Sequence, residues 1–222
     1  MSDQYHIDLA KYSLEKFKNN LKSREMIPSR VALKNEVDER FQIIENSGIS
    51  NHKELIDVLK TKQKIAHYSE KTGLSVEYLT LLNREAKSYL SNPTRLDKFP
   101  GVASEFCEEL ESVGIKNSRH LFNAAKDKMD RNQLSQSVEI PIEVLNELVG
   151  LSDLSRAYGV GPMFARIIFD VGIKSIQEFI SYTAEDFINI YEEQTGKKAD
   201  FGLKDIEFSL DLAKELEIAV EL

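Results

Sequence analysis

The chain has 222 residues, 41% hydrophobic and 30% charged, with one cysteine and a formal net charge of −8. That length supports one large or two to three small helical domains, each with its own core, and no apolar run approaches the roughly 20 residues of a membrane span. The charge is uneven: residues 1–90 carry 15 Lys+Arg against 13 Asp+Glu, and the remainder 14 against 24. Most of the chain should therefore repel a polyanion, so any nucleic-acid contact would have to be local. The start Met1-Ser2-Asp3-Gln4 lacks the charged and apolar regions of a signal peptide, and the lone Cys107 cannot form an internal disulfide. Together these predict a cytoplasmic protein with no membrane contact.

The first predicted element is a helix. Ile7, Ala10, Leu14, Phe17 and Leu21 follow three-four spacing and form its inner stripe; Lys11, Lys16, Lys18 and Lys22 lie on the other face, and Pro28 ends the segment. A repeat follows. Gly48-Ile49, Gly114-Ile115 and Gly172-Ile173 are each trailed at the same offsets by Asn51, Asn117 or Ser175 and then by Leu55, Leu121 or Phe179. Each copy reads as a helix closed by a glycine in the left-handed conformation, a buried isoleucine, a side-chain N-cap and a new helix. Four and seven positions before the glycines stand Ile44 and Phe41, Leu110 and Cys107, Ile168 and Ala165, on one helical face and expected in the core.

Thirteen positions before the glycines lie Asn35-Glu36-Val37, Gly101-Val102-Ala103 and Gly159-Val160-Gly161. The third is a complete Gly-Val-Gly turn and the first only a remnant. After the glycines, Leu74-Ser75 and Ile140-Pro141 mark further helix starts in step. The third copy instead inserts a polar stretch over residues 192–198 before Leu203 and a last helix with Ile206, Leu210, Ala213 and Leu216 inward.

The expected architecture is all-α, a tandem array of three similar units with an N-terminal helix. Residues 1–90 hold that helix and a degenerate first unit, 91–150 the second unit, and 151–222 the third, with the best-formed hairpin.

The run from Leu154 through Gly159-Val160-Gly161 to Ala165, Ile168 and Gly172-Ile173 resembles a helix-hairpin-helix motif, and residues 96–115 resemble a weaker second copy. Over nearly its whole length the chain resembles an uncharacterised family of tandem helix-hairpin-helix-like (SAM-like) domains with no established activity. In DNA-binding members of that superfamily, amides of the Gly-x-Gly turn grip a phosphate at a helix N-terminus. The resemblance thus implies Gly159, Val160 and Gly161 as contacts, with Arg166 as the nearest cation. Met163 and Phe164 stand where a cation would help, and Glu105, Glu108 and Glu109 crowd the corresponding helix of the second unit. Lys60, Lys62 and Lys64 form the best basic patch elsewhere.

No Ser/His/Asp set or paired carboxylate stands out, and of the histidines His6, His52, His67 and His120, the two at corresponding helix starts, His52 and His120, have no second His or Cys at ligand spacing. No catalytic residue, cofactor or metal is expected. The sequence therefore predicts a non-enzymatic helical adaptor that docks a protein partner. Weak, sequence-independent nucleic-acid binding through the hairpin turn or the basic N-terminal patch is the alternative.

Overall fold

The computed structural model describes residues 4–222, which contain thirteen α-helices, two short 3-10 helices and no strand. They divide into two units, one of Asp8–Tyr89 and one of Leu90–Leu222 together with residues 4–7.

In the N-terminal unit the first helix, α1, is Leu14–Ser23, where Ser13 accepts the Lys16 N–H at 3.1 Å. Its start corrects the expectation of a helix from Ile7. The three-four stripe continues upstream, but Ala10 is exposed and Tyr12 is buried in its place. The Ser13 side chain terminates the helix because it takes over an amide that has no partner within the first turn. A 3-10 helix at Pro28–Lys34 leads to α2 (Val37–Asn46), α3 (His52–Val58), α4 (Lys62–Thr72) and α5 (Val76–Lys87). Phe17, Phe41, Ile44, Leu55, Leu79 and Leu82 are completely or almost completely buried between them.

The C-terminal unit opens with a 3-10 turn at Leu96–Lys98, then α6 (Ser104–Ser112), α7 (Ser118–Ala125), α8 (Lys128–Val138) and α9 (Ile142–Leu154). There follow α10 (Pro162–Asp170), α11 (Ile176–Phe179), α12 (Ala184–Thr195) and α13 (Leu203–Ala213). The central element is α9, which packs on α7, α8, α10 and α11. Every residue from Leu148 to Leu154 is buried. The expected boundary at 150/151 falls inside this helix, so residues on both sides of it share one core. Gly150 allows the packing: a Cβ there would lie 2.6 Å from the Lys174 carbonyl and 2.7 Å from the Phe169 ring.

Helix boundaries recur at the spacing of the glycines. Moving 66 positions, from Gly48 to Gly114, carries both ends of α4 onto those of α8, and the starts of α3 and α5 onto those of α7 and α9. Moving 58, from Gly114 to Gly172, carries both ends of α6 onto those of α10. Gly48, Gly114 and Gly172 have φ of 98°, 87° and 96°, which L-residues with side chains rarely adopt. Details recur too: Ser69 and Ser135 donate at 2.6 Å to the carbonyls of Leu74 and Ile140.

Two further inward expectations fail. Cys107 is only half-buried, since α6 is a short, acidic helix with Leu110 as its single buried residue. Ile49, expected to be buried behind Gly48, is only half-buried, whereas Ile115 and Ile173 are buried, as are Ile206, Leu210, Ala213 and Leu216 on α13.

Candidate functional site

The turn implied to hold phosphate is built as a tight connection between α9 and α10. Gly159 has φ of 76°, and Gly161 is the N-cap of α10 with Pro162 as the first helical residue. Two of its potential donors are lost. The Val160 N–H is given to the Ala157 carbonyl at 3.2 Å, and Pro162 has no N–H at all. The Val160 side chain is buried, and Met163 on the first turn is 64% exposed.

Arg166 is engaged elsewhere. Its Nε donates to the Pro100 carbonyl at 2.7 Å, one terminal nitrogen meets Asp170 at 3.3 Å and the other pairs with Glu147. With its side chain only 15% exposed, it lies over Gly101 and joins α10 to α9 and to the 99–101 turn. A guanidinium with three such partners serves packing first.

The basic patch also divides. Lys64 donates from Nζ to the Asp57 carbonyl at 2.9 Å, and Lys53 pairs with Asp57 at 2.7 Å. Lys60 and Lys62 instead border a cleft of about 350 Å³ between α4 and α5, lined also by Ile65, Val76, Asn83 and Arg84. Among the described residues no salt bridge engages Lys60, Lys62 or Arg84. Asn83 is 9% exposed and its Oδ1 has no hydrogen-bond partner. An orphaned buried acceptor is costly, by about 1–3 kcal/mol.

Sequence reasoning passed over two buried ionic groups. In the N-terminal unit the Glu85 carboxylate, completely buried on α5, pairs with Arg24 at 3.1 Å and with Arg30. Its signal was a glutamate inside the apolar stripe of Leu82, Ala86 and Tyr89. In the C-terminal unit Arg156 is enclosed. It pairs with Asp153, donates to the carbonyls of Tyr5 at 3.1 Å, Gln4 at 3.0 Å and Glu217 at 2.8 Å, and sits 4.4 Å from the Phe122 ring centre. Asp153 also accepts the Ile176 N–H at 2.7 Å. Burial pushes its carboxyl above the usual carboxylate range, against the opposing pull of Arg156 and that amide. Nothing local in the sequence pairs position 156 with positions 4, 5 and 217.

The histidines do not converge. His52 lies in a cage of Phe17, Tyr12 and Tyr89, with Nε2 3.0 Å from the Ala86 carbonyl. A carbonyl can only accept, so Nε2 carries a proton. Burial pulls its pKa down to about 4. Among the described residues no group of three or more His, Cys, Asp or Glu could hold a metal ion. Burial raises the half-buried Cys107 thiol above its ordinary pKa, with Asp97 adding to the effect, which is the reverse of an activated nucleophile.

Residues 100–200 match a family described as a domain of unknown function (DUF4332). The match takes in the stretch from α6 to α12, with the Gly159–Gly161 turn and Arg166, and lies outside the N-terminal unit. No curated protein and no solved structure matches the chain. No helix among the described residues is long and apolar enough to cross a membrane.

Proposed function

We propose that the protein is a non-enzymatic adaptor: a tandem array of three helix-hairpin-helix-like units that docks a protein partner. The tandem reading is supported by helix boundaries and left-handed glycines that recur at spacings of 66 and 58 residues. The observation that carries the docking reading is the state of the best-formed hairpin. Its nearest cation, Arg166, is spent on Pro100, Glu147 and Asp170, while Met163 projects beside the turn. A phosphate would find few donors and no free charge there, whereas an apolar side chain on an acidic background suits a protein surface. The single cysteine fits a cytoplasmic setting.

The test is capture of partners from native lysate with and without nuclease. A nuclease-resistant partner released by Met163→Glu is expected. Capture that vanishes with nuclease, or that ignores Met163→Glu, refutes the reading at this turn.

Weak nucleic-acid binding is favoured by one observation, the cations Lys60, Lys62 and Arg84 around a single cleft, none of them in a salt bridge among the described residues. It requires a steeply salt-dependent shift of duplex or single-stranded DNA, weakened by reversing Lys60 and Lys62. No shift at low salt and micromolar protein would retire it.

A further inference from the structure

The cleft between α4 and α5 has a counterpart within the C-terminal unit, and there the chain itself supplies the occupant. Moving 66 positions takes Lys60 to Lys126, Ile65 to Arg131, Val76 to Ile142, Asn83 to Val149 and Arg84 to Gly150. Against that second set lies the extended segment that ends the chain. The Glu221 N–H donates to the Lys126 carbonyl at 3.1 Å, Arg131 donates to the Glu221 carbonyl, and Val220 is buried. Leu222 lies against Gly150, where a Cβ would meet its side chain at 3.3 Å. Residues 217–222 read Glu-Ile-Ala-Val-Glu-Leu, acidic and aliphatic.

The substitutions between the two faces follow one logic. Arg131 fills its face with a guanidinium held by Asn146 at 2.7 Å and the Ala125 carbonyl at 3.0 Å. In the N-terminal unit the shorter Ile65 stands at that position, leaving an apolar floor shared with Val76, which is 43% exposed. The polar group moves across to Asn83, whose orphaned Oδ1 takes the place of the apolar Val149. Lys60, Lys62 and Arg84 add positive charge at the rim. At about 350 Å³ the cleft is at the small end of ligand sites. That size suits one or two side chains of a strand-like peptide better than a whole helix.

We infer that the α4–α5 cleft docks an extended acidic-aliphatic segment of a protein partner, chemically like residues 217–222 of this chain. An aliphatic side chain rests on Ile65 and Val76, rotation of the Asn83 side chain brings its buried Oδ1 to a backbone N–H of the segment, and flanking carboxylates meet Lys60, Lys62 and Arg84. Charge complementarity at the rim sets selectivity and encounter rate, and the buried amide contact sets lifetime. This rests on the docking reading above but on a site separate from the Met163 surface.

The test titrates a fluorescein-labelled peptide of residues 214–222 into the intact protein, followed by anisotropy, with duplex DNA in parallel. Saturable binding at micromolar peptide is expected, weakened about tenfold or more by the double reversal Lys60→Glu/Lys62→Glu. Asn83→Val, which installs the residue of the counterpart position, should weaken the peptide about fivefold while leaving the melting temperature equal or higher. A peptide with lysine in place of both glutamates of the 217–222 segment should not bind.

The inference is overturned if the peptide fails to bind at millimolar concentration, or if its affinity ignores the cleft substitutions, as exchange with the chain's own segment would. It is equally overturned if DNA, and not the peptide, binds through Lys60 and Lys62. A silent cleft with Met163-dependent capture intact refutes the cleft alone. A working cleft with no Met163-dependent capture refutes the proposed hairpin surface alone.

Discussion

His52 shows how a single buried group ties stability to pH. Its folded-state pKa of about 4 lies below the ordinary 6.5, so between these values the unfolded chain takes up a proton that the folded chain refuses. Stability is therefore intact above about pH 6.5 and falls as pH drops towards 4, with about 3 kcal/mol at stake. His52→Gln keeps a donor for the Ala86 carbonyl and cannot titrate. Urea unfolding at a series of pH values should give the variant a shallower slope than wild type across that window, and equal slopes would exclude His52 as the source. The same residue also shows where position in sequence stops being informative. Its counterpart at the 66-residue spacing is Ser118, which meets Tyr5 at 2.6 Å and the Thr94 N–H at 2.9 Å, and neither partner can be read from the repeat.

At the level of helices, termini carry most of the local information. Asn51, Asn117 and Ser175 accept the N–H groups of Glu54, His120 and Glu178, as their place after each Gly-Ile predicts. Gly114 has a φ of 87° and nothing near the position of a Cβ, so its substitution costs conformational strain alone. Gly114→Val should destabilise by about 1 kcal/mol or more in thermal melts, and an unchanged melting temperature would exclude the cap. Glu139 is the converse case. It adopts a φ of 55° at the end of α8, where the N-terminal unit has Gly73 at 75°. Glu139→Gly should stabilise by about 0.5–1 kcal/mol, the relief of strain exceeding the entropy that glycine adds to the unfolded chain. The turn that leads into α2 was less legible. Glu36, at 49°, takes the left-handed role of Gly101 and Gly159, but one position later than the spacing predicts. A charged residue in that conformation gives no compositional sign of a turn.

Across the C-terminal unit, Arg156 binds together segments far apart in the chain: residues 4 and 5, the end of α9, and Glu217. Removing it leaves the Asp153 carboxylate buried without its counter-charge, so Arg156→Met should cost about 3–5 kcal/mol near neutral pH. The remaining carboxyl, its pKa raised by burial, takes up a proton more readily folded than unfolded. Part of the loss should accordingly be recovered as pH falls, and a deficit that is flat with pH in denaturant titrations would rule out this account.

The all-helical class and the capped junctions after each Gly-Ile were written in the sequence because each depends on residues within one or two turns of one another. Gly150 was not, although it sits in the middle of a helix where alanine is ordinarily better; its need arises from the Lys174 carbonyl and the Phe169 ring. Nor could the sequence say that Arg166 is spent on Pro100 and Glu147, or that Asn83 would border a cleft while Val149 lies closed over. Those outcomes depend on which surfaces meet once the helices pack, and burial, charge pairing and open volume are properties of that meeting.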